Sequence, residues 1–152
     1  MTDGLIRVAL AAILIFVAFD DLRNFQIRNE AVAALVVLFL LKAALGGRYW
    51  EAFSHAVFAA AILGAFLFMY AKELLGGGDV KLLGAAFLWL GMDNSFLFSL
   101  FLLAFTIVYA LLAKFGSVPT RTIAAGTKIP FGTCIGAAWL VTLALQSLPA
   151  RG

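Results

Sequence analysis

Apolar runs fill most of this chain, and one of them, residues 95–113, contains nineteen consecutive residues without a charge. A helix that spans a membrane needs about 20 predominantly apolar residues. Hydrophobic residues make up 64% of the 152-residue sequence and charged residues 12%, against roughly 45–50% and about 25% in soluble domains. The sequence therefore predicts an all-α integral membrane protein that forms a single transmembrane domain over residues 1–152.

Polar links divide the apolar runs into a predicted bundle of about six transmembrane helices. These cover residues 5–21, 31–45, 52–71, 80–92, 95–113 and 129–150. A tight turn at Asp93-Asn94 is predicted between the fourth and the fifth helix. The fourth run is short for a full span, which indicates a tilted helix, a locally thinned bilayer or shelter by neighbouring helices.

The basic residues are distributed unevenly over the links, which predicts the orientation in the membrane. Links one, three and five hold seven of them, whereas the termini and the other two links hold four. The positive-inside rule then predicts that the odd links lie in the cytoplasm and that both termini lie outside. Asp21 and Asp79 therefore share the cytoplasmic face, and His55 lies at the opposite end. The net charge of +3 comes from scattered single residues, so it does not indicate a nucleic-acid partner.

A polar, glycine-rich loop stands between the third and the fourth apolar run, with the sequence Gly76-Gly77-Gly78-Asp79-Val80-Lys81. Glycine has no Cβ, so such a loop adopts unusual turns and allows close approach of another chain. An acid beside it in a membrane protein is a functional-site hypothesis by default. Asp79 is equally well suited to cap the following helix.

Two acids that meet at one membrane face suggest a particular chemistry. Two close carboxylates share one proton, because both cannot ionise side by side, and together they can activate a water and protonate a carbonyl oxygen. Asp79 is predicted at a helix N-terminus and Asp21 at a helix C-terminus, so the helix dipoles predict that Asp21 holds the shared proton. The pair would titrate as one coupled unit. We expect a resting separation too long for chemistry, which closes when substrate binds.

Three segments resemble the motifs of the type IV prepilin peptidases, which are membrane aspartyl proteases of the GxGD type. Their GxGD signature resembles Gly76-x-Gly78-Asp79-Val80-Lys81-Leu82-Leu83. Their first catalytic motif, Asp-x-Arg followed by Ile-Pro-Asn, resembles Asp21-Leu22-Arg23-x-x-x-Ile27-x-Asn29, with Arg28 in place of the proline, and it selects Asp21 over Asp20. A Pro-[Phe/Tyr]-Gly element resembles Pro130-Phe131-Gly132.

The resemblance implies an aspartic-type endopeptidase that cleaves the leader peptide of Flp-like type IV prepilins at the cytoplasmic face of the bacterial inner membrane. Asp21 and Asp79 would activate the attacking water, with no metal and no cofactor. The prepilin and the lipid bilayer would be its partners, whereas the oligomeric state is left open. Residues implied to bind substrate or shape the site are Gly76, Gly78, Lys81, Arg23, Asn29, Pro130 and Gly132.

The single cysteine, Cys134, distinguishes this chain from the larger bifunctional prepilin peptidases. Those carry an N-terminal extension with paired Cys-x-x-Cys motifs and also methylate the pilin. The sequence therefore resembles the short, peptidase-only form of Flp or tight-adherence (Tad) pilus systems, without a methyltransferase domain.

Two other classes of membrane protein remain as alternatives. One is a non-catalytic transporter or pilus-assembly scaffold, in which the acids relay protons or pair with lysines. The other is a GxGD protease of the presenilin or signal-peptide-peptidase kind, although no Tyr-Asp partner motif is found. Lys81 also has a structural interpretation, as a lysine that extends toward the membrane surface.

Overall fold

Helices make up most of the computed structural model, which describes residues 2–116, 118–123 and 126–147. In chain order, the elements within these ranges are α1 (Thr2–Asn24), α2 (Asn29–Gly46), α3 (Tyr49–Ala71), α4 (Gly77–Lys114), β1 (Arg121–Ile123), β2 (Gly126–Lys128) and α5 (Phe131–Ser147). The two short strands form an antiparallel ribbon in the link between α4 and α5.

Three of the described helices, α2, α3 and α4, are long and apolar enough to cross a membrane. The fifth helix is also apolar but has 17 residues, and α1 has charged residues near both ends. The chain is therefore a helical membrane protein, as predicted. The predicted start of the last helix, residue 129, is two residues early, and its predicted end at residue 150 lies outside the described residues.

The predicted count of six helices is not confirmed, because the fourth and the fifth predicted helix belong to one element, α4. The helical backbone of α4 is interrupted at Gly91, where φ is 61° and ψ is −168°. The predicted turn at Asp93-Asn94 is therefore wrong in position, and those two residues are helical. Glycine fits the interruption because this region of φ and ψ is essentially closed to other residues.

Two side chains just beyond the interruption donate hydrogen bonds to carbonyl groups one turn before them. The Asn94 side-chain amide donates to the carbonyl oxygen of Leu90 at 3.3 Å, and the hydroxyl of Ser95 donates to the carbonyl oxygen of Gly91. Two side-chain hydrogen bonds thus accompany the interruption within the apolar bundle.

His55 of α3 packs against the same interruption. A Cβ on Gly91 would overlap the Nε2 atom of His55, so the absence of a side chain there makes room for the imidazole. The Nδ1 atom of His55 is 3.1 Å from the carbonyl oxygen of Leu88, and its ring stacks on Phe39. These contacts give His55 a packing role.

The first half of α4 lies in the interior of the bundle. Within residues 80–90, only Lys81, Gly84 and Leu88 are not buried. The core also contains Leu14 of α1 and Trp139 of α5, both fully buried. The neighbouring helices therefore shelter the short apolar run that begins at Val80, and this shelter accounts for its length.

Candidate active site

Asp21 lies near the C-terminus of α1, with its side chain directed into the bundle and only 3% of the residue exposed. Its Oδ2 atom accepts a hydrogen bond of 2.9 Å from the backbone N–H of Thr133 and is 3.4 Å from the hydroxyl of the same residue. That hydroxyl also donates to the carbonyl oxygen of Ala18 at 3.1 Å. Thr133 belongs to the first turn of α5, where backbone N–H groups lack helical partners. The carboxylate of Asp21 therefore caps α5.

The neighbouring acid, Asp20, has different partners. It accepts hydrogen bonds from Nε of Arg28 at 3.0 Å and from the side-chain amide of Asn24 at 2.6 Å. Successive residues of an α-helix lie about 100° apart around its axis. As a result Asp20 serves a local ion pair, whereas Asp21 faces α5.

Gly132 makes the contact between Asp21 and α5 possible. A Cβ at this position would lie 2.9 Å from Oδ2 of Asp21 and 2.7 Å from Cδ1 of Ile27. Both distances are shorter than real Cβ contacts allow. Pro130 is fully buried just before α5, and its carbonyl oxygen accepts a second bond, of 3.2 Å, from the N–H of Thr133.

Ile27 lies between the two segments that carry the candidate acids. Its side chain contacts Gly132 on α5, and a Cβ on Gly78 of α4 would lie 3.1 Å from its Cβ atom. The surroundings of Asp21 and the glycines before Asp79 thus pack against one shared side chain. These contacts bring the C-terminus of α1 and the N-termini of α4 and α5 to the same end of the bundle.

Asp79 is the third residue of α4 and is partly buried, so the predicted loop over residues 76–81 is wrong from Gly77 onward, where the chain is already helical. The residue that precedes the helix, Gly76, has extended backbone, and its carbonyl oxygen accepts a bond of 3.1 Å from the N–H of Val80. A Cβ on Gly76 would lie 2.7 Å from Oδ2 of Asp79. The absence of a side chain at Gly76 therefore leaves the space that the carboxylate occupies.

The electrostatic surroundings of the two acids differ from the sequence expectation. Asp79 stands at the N-terminus of α4, as predicted, but Asp21 stands at the N-terminus of α5 as well as near the C-terminus of α1. A helix N-terminus and an N–H donor both favour a charged carboxylate. The dipole of α1 is therefore opposed by that of α5, and the reason for placing the shared proton on Asp21 is lost.

The other candidate residues lie around this end of the bundle. Nζ of Lys81, which is exposed, donates a hydrogen bond of 2.9 Å to Oδ1 of Asn29, the first residue of α2. This bond joins the beginnings of α2 and α4. Arg23 is exposed in the last turn of α1 and lines a surface cavity together with Asp20.

Sequence reasoning missed Thr133 and treated Ile27 only as part of a motif. One signal could have identified Thr133, namely its place in the first turn after Pro130, where an N–H group is free to bind an acid. No comparable signal existed for Ile27, because its contacts come from helices that are distant in the sequence. Arg28 has φ −73° and ψ 135°, so it keeps a backbone that proline would also adopt.

Comparison with known families identifies one match. The sequence model of the type IV leader peptidase family matches residues 8–112, which include Asp21, Asp79 and the glycine loop. The Pro130-Phe131-Gly132 segment lies beyond the matched range. No curated protein and no solved structure matches the chain.

Proposed function

The chain belongs to the type IV leader peptidase family, and on this premise we propose that it is an aspartic-type endopeptidase that removes the leader peptide from Flp-like type IV prepilins. In this proposal Asp21 and Asp79 form the catalytic pair. The site faces the cytoplasm from the bacterial inner membrane, and both termini lie on the other side.

One observation carries the proposal. A buried acid, Asp21, is held at the N-terminus of α5 by the N–H of Thr133, and the segment around it packs through Ile27 against the glycine loop that precedes Asp79. A buried carboxylate is costly unless hydrogen bonds compensate it, and such groups are concentrated at functional sites. Asp20, one residue away, has an ordinary ion pair and needs no such explanation.

The proposed reaction uses the two carboxylates in alternating roles. The ionised acid takes a proton from a water molecule while the water oxygen attacks the carbonyl carbon of the scissile bond. The protonated acid gives its proton to the carbonyl oxygen, which yields a tetrahedral intermediate. When the C–N bond then breaks, the departing amine receives a proton from the pair, and one hydroxyl of the intermediate gives its proton back to the pair as the new carboxyl group forms, so the pair is again singly protonated.

The helix N-termini define what the protein contributes to this cycle. Because α4 and α5 both favour the charged form of the acid beside them, one proton shared between close carboxylates is expected rather than a proton confined to Asp21. Thr133 orients the carboxylate of Asp21, and Gly132 allows its approach to α5. Gly76, just before α4, and Gly77 and Gly78 in its first turn supply the freedom to move Asp79 when substrate binds.

Cleavage of a purified prepilin tests the proposal. We expect Asp21→Asn and Asp79→Asn each to reduce the rate by about 10²–10⁴-fold, the usual contribution of an acid or base. Asp20→Asn is the matched control, since it alters the adjacent carboxylate of the same helix, and it should retain cleavage within a few-fold of the wild type. If cleavage survives at the wild-type rate in either of the first two variants, the proposed pair is wrong.

A further inference from the structure

An apolar groove of about 510 Å³ lies between α2, α3 and α4 and begins at the glycine loop. On α3 its lining residues run from Ala56 to Tyr70, and on α4 they run from Gly77 to Leu88, in both cases at helical spacing. Val32 and Val36 of α2 form the remaining side. The groove therefore follows the axes of the helices, with one end two residues from Asp79.

The length of the groove suits a membrane-embedded segment. At 1.5 Å per helical residue, the lining stretch of α3 is roughly 21 Å long and that of α4 roughly 16 Å. The hydrocarbon core of a bilayer is about 30 Å thick. The groove thus extends from the candidate site over half or more of the apolar depth.

Small residues on two helices make the groove suitable for another helix. Ala59 and Ala60 of α3 and Gly84 and Ala85 of α4 line its walls. Small side chains let helix backbones approach closely. Because lipid tails are as apolar as the helices, helix association in a bilayer depends on such packing and not on the hydrophobic effect. A lipid tail would not require this concentration of small residues.

Polar groups are confined to the end of the groove near the site. Lys81 lines that end, and its hydrogen bond to Asn29 ties α2 to α4 there. An apolar helix in the groove would therefore meet apolar walls along its length and polar groups at the end next to Asp79.

We propose that this groove binds the apolar helix of a membrane-anchored substrate, so that the peptide bond just before that helix is delivered to Asp79. The proposal rests on the function proposed above and adds a substrate-binding surface to it. Recognition then depends on the substrate helix as well as on the sequence at the scissile bond.

Filling the groove tests this assignment. Ala60→Phe places an aromatic ring in the groove, and Ala56→Phe does the same one turn away. Ala65→Phe is the matched control, because Ala65 is exposed on α3 and does not line the groove. Each variant is assayed with a full-length prepilin and with a soluble peptide that contains the cleavage site but lacks the apolar helix.

We expect the two groove variants to raise KM for the full-length substrate at least about tenfold while kcat/KM for the short peptide stays unchanged. The control should resemble the wild type with both substrates. Wild-type KM for the full-length substrate in both groove variants would overturn the proposal, as would an equal loss with both substrates.

Photo-crosslinking separates this proposal from the proposed catalytic function. Benzoylphenylalanine in place of Ala60, in the Asp79→Asn background, should crosslink to the apolar helix of the prepilin, and the same group at Ala65 should not. Crosslinks only to lipid or to a second copy of the chain would refute the groove assignment. If the wild type cleaves neither substrate but the crosslink forms, the catalytic proposal fails and the groove assignment stands.

Discussion

Replacing Gly132 by alanine tests how closely the position of Asp21 depends on α5. The new Cβ would lie 2.9 Å from Oδ2 of Asp21 and 2.7 Å from Cδ1 of Ile27. Ordinary contacts of this kind begin at 3.4 Å. The carboxylate must therefore move by about 0.5 Å and the isoleucine by about 0.7 Å, or α5 must shift by a similar distance. Either movement lengthens the 2.9 Å bond from the N–H of Thr133.

Such a displacement should affect catalysis more than folding. A misplacement of about 1 Å can cost 10²-fold in rate, so we expect kcat/KM of Gly132→Ala to fall about 10- to 100-fold. This corresponds to about 1.4–2.7 kcal/mol in the activation barrier. Overpacking costs about 1–3 kcal/mol of stability, but alanine in a helix recovers up to about 1 kcal/mol relative to glycine.

The assay is prepilin cleavage in detergent, with thermal unfolding measured in parallel. Gly136→Ala, one turn further along α5, is the matched control, because its Cβ would meet Ala18 and Leu14 at an ordinary 3.4 Å. It should cleave at nearly the wild-type rate. Wild-type activity in Gly132→Ala, or an equal loss in Gly136→Ala, would show that the position of the carboxylate is not set by this contact.

Two further substitutions test the backbone of the fold. Gly91→Ala should destabilise the protein by at least about 2 kcal/mol, since the φ and ψ values there cost other residues about 1–3 kcal/mol and the new Cβ would overlap His55. Thermal unfolding measures the loss, and adding His55→Ala should restore only the part that is due to the overlap. An unchanged melting temperature in Gly91→Ala would contradict this reasoning. Arg28→Pro should keep both stability and cleavage, because φ at this position is −73° and the lost ion pair with Asp20 is worth about 0–1 kcal/mol. If Arg28→Pro loses cleavage and Arg28→Ala does not, the proline-like backbone at this position is not sufficient for proline to be accepted.

Local patterns predicted the helices because their causes are local. In lipid each spanning segment must satisfy its own backbone hydrogen bonds, so a long apolar run forms a helix whatever its neighbours are. The predictions were less accurate at the interruption of α4, where the sequence offered both a glycine and an Asp-Asn pair. The contact between Gly91 and His55 belongs to tertiary packing, and no local pattern indicates it.

In the candidate site, too, some features have local causes and others arise from tertiary packing. The choice of Asp21 over Asp20 followed from a motif, and the structure gives the two acids different surroundings, with Asp20 paired to Arg28 and Asp21 buried. The expected location of the proton considered only the helices that carry the acids. It could not include α5, whose first turn reaches Asp21 across 112 residues of sequence.

The sequence by itself determined that this is a helical membrane protein, where most of its helices run, and which two acids are the candidates for catalysis, because apolar length, glycine content and short motifs are properties of continuous segments. Only the tertiary structure decided that Asp21 accepts a hydrogen bond from the N–H of Thr133, that Ile27 packs against both Gly78 and Gly132, and that a groove lined by small residues begins beside Asp79. These features arise where helices distant in the sequence pack together, and their chemistry depends on distances of a few ångströms between those helices.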